Sequence, residues 1–165
     1  MAELTNLESK LAEVLGLAGA AKGAVETVRG MLDDDEQDLA AELERMKDEA
    51  SETERRCTEV AGQFDGKKTA IVEESRETKQ EATEMMKIYL EGESDALDGF
   101  EFLTMAEAGE VGHWAILNKL NERAGIDSVT ELTGWALPIQ ERHLSRVLSG
   151  SLELAGREDP NEPAA

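Results

Sequence analysis

Phe100, Leu103, Glu107, Glu110, Trp114 and Leu117 are spaced alternately three and four apart, so they share one face of a helix. That face is apolar except at its middle, where two carboxylates stand. A buried ionised carboxylate without a partner costs several kcal/mol, so each must meet a cation, accept hydrogen bonds or carry a proton. One such cation is a metal ion. Glu110-Val111-Gly112-His113 is a Glu-x-x-His motif, whose spacing lets both side chains reach one ion between helices. Glu107 adds a carboxylate one turn earlier, and Gly109 and Gly112 thin the helix surface beside it. In the last helical segment Glu141 is the best further ligand and His143 the next; Gln140-x-x-His143 has the spacing but a poor first ligand. The candidate metal ligands are therefore Glu107, Glu110, His113 and Glu141, for iron, manganese or zinc. A metal-free reading stands beside this one, with the acids paired internally to Arg142, Arg146 or Lys22 and His113 packed against Trp114.

These residues need helices to hold them, and the chain supplies five. Leu4, Leu7, Leu11, Val14, Ala18, Ala21, Val25, Val28 and Leu32 form a heptad stripe that predicts a first helix of about 28 residues. It stops at Asp33-Asp34-Asp35-Glu36, acids suited to the start of a second helix. That helix carries Leu39, Leu43, Met46, Ala50, Thr53, Cys57, Val60 and Phe64 in register and ends at Asp65-Gly66. A third, from Lys67 to Leu90, is weakly patterned and expected to be the most exposed. Ser94 is read as the cap of the fourth, which carries the opening seam and ends at Gly125. The last begins with the capping box Ser128-Val129-Thr130-Glu131, and Pro138 predicts a kink or a fresh start within it. Beyond the proline the stripe reads Leu137, Glu141, Leu144, Leu148 and Leu152. Residues 1–155 form one bundle domain, and 156–165 an acidic, disordered tail.

The chain has 165 residues, enough for one core, and a formal net charge of -20, which argues against nucleic-acid phosphates and anionic membranes as partners. Cations and basic proteins suit it better. A single cysteine, Cys57, excludes an internal disulfide and lies on an apolar stripe. No signal-peptide pattern opens the chain and no apolar run reaches a membrane-span length, so a cytoplasmic protein is expected. Stripes this regular also suit self-association, as a homodimer or a higher homo-oligomer. No catalytic triad, phosphate-binding glycine loop or zinc-type cysteine set is visible.

Two long helices, a connecting helix and two more long helices are the wiring of a four-helix bundle with a long crossover. At Ala106-Glu107-Ala108-Gly109-Glu110-Val111-Gly112-His113-Trp114-Ala115-Ile116-Leu117, and again at Leu120-Asn121-Glu122-Arg123-Ala124-Gly125, the chain resembles the ferritin-like superfamily. Within it, the likeness is to the bacterial YciE/YciF-like stress proteins. Glu141-Arg142-His143-Leu144 and the Glu49 to Glu54 stretch add weaker likeness. The resemblance implies an all-α, ferritin-like fold and a carboxylate metal centre. The departures lie where the family places its other ligands: Ala18 and Ala21 in the first helix, Ala50 and Thr53 in the second, and Ala108 in place of a histidine. The expectation is a bundle with a partial or degenerate site between the last two long helices, in which di-iron oxidase activity is disfavoured. The alternative is a metal-free bundle that works through protein association.

Overall fold

In the computed structural model, which describes residues 2–163, the first and fourth helices begin where side chains cap them. Thr5 opens α1 (Asn6–Arg29) with a capping box: its hydroxyl accepts from the Glu8 amide at 3.3 Å while the Glu8 carboxylate accepts from the Thr5 amide at 2.8 Å. Asp95, not Ser94, does the same for α4 (Ala96–Ala124) through Asp98. Between them lie α2 (Gln37–Ala61) and α3 (Lys68–Tyr89); α5 (Asp127–Ala155) follows. Gly125 closes α4 at φ 65°, a left-handed conformation that a side chain would strain. The Asn121 amide then ties the turn to Ile126 and Thr130, so α4 and α5 form a tight hairpin.

The first helix is shorter than its stripe, because it ends at Arg29 and leaves Leu32 beyond it. Neither α2 nor α5 has a side-chain cap, so the expected Ser128 box does not form: Asp127 is already helical. Pro138 does not break α5 either. The proline faces solvent, where the hydrogen bond its ring deletes is one that water can replace.

Packing follows the seams. α1 packs on α2 and α4, and α5 closes the ring against both. Every neighbour in that ring is antiparallel, as the cross-links show: Lys47 to Glu26 between α2 and α1, Gly99 against Val28 between α4 and α1, and Asn121 to Thr130 between α4 and α5. The connecting helix α3 is the most exposed of the five, as its weak patterning predicts, with Met85 and Ile88 open to solvent. It runs parallel to α1 along the outside of the ring, with Ala70, Ile71 and Ser75 buried. Gly16 makes this close approach feasible, since a Cβ there would stand 2.7 Å from Thr78 Cβ. Two clusters fill the core. One is built around Leu11, Val14, Ile71, Trp114 and Leu117, the other around Val28, Leu43, Met46, Phe100 and Leu103. The carboxylates lie between them along α4.

From Gly156 the chain forms turns as far as it is described, and Arg157 ties back to Glu36 at 2.9 Å and to Glu153 at 2.6 Å. The last two residues of the expected tail, Ala164 and Ala165, lie outside the described residues. Among the described residues no helix is long and apolar enough to cross a membrane.

Candidate functional site: a carboxylate and imidazole cluster in the core

The α4 seam has the register its sequence implies: Glu107 is 2% and Glu110 5% exposed, with Phe100, Leu103, Trp114 and Leu117 buried above and below them. The α5 seam does not. Its buried face is Val129, Leu132, Thr133, Ala136, Gln140, His143, Val147, Gly150, Ser151 and Leu154. Glu141 is therefore exposed, and Leu148 and Leu152 are 46% and 66% exposed. Rotating α5 in this way replaces Glu141 with His143 at the centre of the bundle. His113 is displaced as well. It lies one turn on from Glu110 but at the edge of α4, where its Nδ1 is 2.9 Å from Glu13 Oε2 and 3.2 Å from Lys10 Nζ.

Of the four candidate ligands, then, Glu107 and Glu110 sit together in the core, His113 pairs at the surface of α1, and Glu141 faces outward. Two residues not among the four complete the cluster. His143 Nε2 lies 2.9 Å from Glu49 Oε2, and its Nδ1 lies 3.6 Å from Glu107 Oε2. Glu49, on α2 one position before the buried Ala50, also accepts from Arg142 and, at 2.9 Å through Oε1, from Arg45. A continuous charged path results. It runs from Arg45 at the surface through Glu49, which Arg142 also contacts, and through His143 to Glu107.

Burial alone would push the His143 imidazole towards its neutral form; the opposing influence of Glu107 and Glu49 outweighs it and raises the pKa above the usual 6.5. Glu49 experiences the reverse balance: desolvation favours the acid, but His143, Arg45 and Arg142 hold it lower than an ordinary carboxylate. Glu110 has no such help. Desolvation, reinforced by the negative charge of Glu107, raises its pKa well above 4.5 and so favours its acid form. At 3.6 Å the contact between His143 and Glu107 is an ion pair without a hydrogen bond, and Glu107 Oε2 is one of the buried polar atoms lacking a partner. Gln140 Oε1 and Arg142 Nε are two others.

Among the described residues no three His, Cys, Asp or Glu side chains converge as ligands, and Arg142 donates to the Glu49 oxygen nearest His143. Glu49 and His143 were within reach of sequence reasoning, but each sits beside the stripe that apolar spacing selects. Cys57 is buried in the core, and burial raises its thiol pKa, as befits a packing residue. No known protein family, curated protein or solved structure matches this chain.

Proposed function

We propose that the chain is a ferritin-like bundle, akin to the bacterial stress proteins its α4 sequence resembles, in which protein cations stand at the carboxylate centre in place of metal ions. Such a protein acts in the cytoplasm by binding and association, not by metal-centred oxidation. The observation that carries the reading is His143, held at 2.9 Å from Glu49 and 3.6 Å from Glu107 in the middle of the core. The ring order of α1, α2, α5 and α4 with a long crossover supports the ferritin-like part. A metal centre built from Glu107, Glu110, His113 and Glu141 would require His113 to leave Glu13 and Glu141 to leave solvent. The test is the metal content of protein purified without chelator, for the native chain and Glu110→Ala. The expected result is no stoichiometric iron, manganese or zinc in either, with the variant at least as stable, since alanine replaces a buried acid without a counter-charge. Stoichiometric metal that is lost in Glu110→Ala would overturn it. Association as a homodimer is favoured by one further observation, the exposed Leu148 and Leu152 on α5, and sedimentation of Leu152→Glu against the native chain tests it.

A further inference from the structure

Between α1, α3 and α4 lies a cavity of about 250 Å³, lined in part by Glu110. Its walls are apolar, with Leu17, Ala24, Ala82, Met86, Phe102 and Leu103 among them, and Glu107 and Glu110 are the acids within it. An engineered apolar cavity of about 150 Å³ takes up benzene, so this one has room for a ring and a short substituent. Its methionines adapt readily to irregular shapes.

Two features select the charge of what enters. The first is Glu110, which is 5% exposed, lines the cavity and receives no hydrogen bond from the described residues. The second is an adjoining groove of about 400 Å³ that shares Leu17, Ala82, Met85 and His113 with the cavity and is lined by Glu13, Glu74, Glu77 and Glu81. Lys10 neutralises Glu13, and Ser9 donates to Glu74, leaving Glu77 and Glu81 exposed at the approach. A cleft lined by one sign of charge concentrates ligands of the opposite sign.

We propose that this cavity binds a small organic ammonium, with its apolar body among Ala24, Met86 and Phe102 and its protonated amine against Glu110. Binding then transfers the Glu110 proton to solvent, so that carboxylate and ammonium pair inside an apolar wall. Glu107 is already committed to His143, which leaves Glu110 as the recognising acid. The inference does not depend on the ferritin-like reading, because neither the cavity nor its entrance uses α2 or α5.

Isothermal titration of the full chain with benzylamine at pH 7, against benzyl alcohol and benzoate, tests it. The expected result is benzylamine binding about tenfold or more tighter than the alcohol, as a charge-assisted hydrogen bond provides. Binding heats should vary with the ionisation enthalpy of the buffer, reporting the released proton. Glu110→Gln keeps the shape of the side chain and should erase the preference for the amine. Gly109→Leu should weaken amine and alcohol alike, since its Cβ meets nothing within 4 Å and grows from the cavity wall. Circular dichroism of both variants checks that the helices are retained. Equal binding of amine and alcohol, an amine preference that survives Glu110→Gln, or no binding of any of the three would overturn the proposal. None of these results depends on metal content.

Discussion

Replacing His143 with glutamine removes the positive charge from the centre of the bundle while keeping a side chain of similar reach. The charges at His143 and Glu107 are 3.6 Å apart, with side chains 3% and 2% exposed, so solvent screens them little. At an effective dielectric constant of about 20, their Coulomb attraction is about 4 to 5 kcal/mol, and desolvation offsets much of it. Glu49 keeps Arg142 and Arg45 when His143 is lost, so the damage falls on Glu107, which loses the counter-charge beside it. Removing one member of a buried pair costs roughly 3 kcal/mol, and removing both costs less than the sum of the single losses. Urea unfolding at pH 7 of the native chain, His143→Gln, Glu107→Gln and the double variant should therefore give a coupling of about 2 kcal/mol. It should change little between low and high salt. A loss below about 1 kcal/mol for His143→Gln, or a double variant equal to the sum of the singles, would refute the ion-pair argument.

Further perturbations probe the core and its surroundings. Glu110 binds its proton more tightly in the folded than in the unfolded chain, so between the unfolded pKa near 4.5 and its raised folded value the native state holds more protons, and stability falls as pH rises. Glu110→Gln should thus stabilise the protein at pH 7 to 8, with a gain that shrinks towards pH 4.5; urea midpoints across that range measure it, and a gain independent of pH contradicts it. His143 has the same sign but a later window, because its contribution is complete below 6.5 and is lost as pH rises through its raised folded pKa. Gly150→Ala would press a methyl group into the buried Phe100 ring and within 3.3 Å of Leu39, an overpacking that costs about 1 to 3 kcal/mol by thermal or urea unfolding. Gly134→Ala, on the same helix with nothing within 4 Å of the new Cβ, should instead stabilise by up to about 1 kcal/mol through helix propensity.

Much of this fold is legible in apolar spacing, and the exceptions have physical causes. The α2 stripe from Leu39 to Val60 is buried as its heptads imply, and Glu107 and Glu110 face inward because large apolar residues flank them on the same seam. On α5 the same logic selects the wrong face. Leu148 and Leu152 are exposed, while the inward face uses Thr133, Gln140, His143, Gly150 and Ser151, which hydrophobicity reads as solvent positions. Tertiary demands set that rotation: Gly150 lets the Phe100 ring approach, and Ser151 lies 3.1 Å from the Thr104 hydroxyl. The site was half visible for the same reason. Its α4 acids interrupt a strong stripe, whereas His143 lies on a face whose polar residues conceal it and Glu49 lies at the margin of one. Gly16 of α1 similarly carries no apolar signal, yet it is where α3 makes its close approach.

The central claim is that a protein cation, His143, neutralises the carboxylates in the core. The chain has only 2 histidines, so imidazole nitrogen chemical shifts, assigned with His143→Gln, report directly on it. The account predicts that at pH 7 the His143 ring is an imidazolium with both nitrogens protonated, and that it titrates above the unperturbed 6.5. A His143 ring that is neutral at pH 7, or whose nitrogen shifts move on adding iron, manganese or zinc, would contradict it.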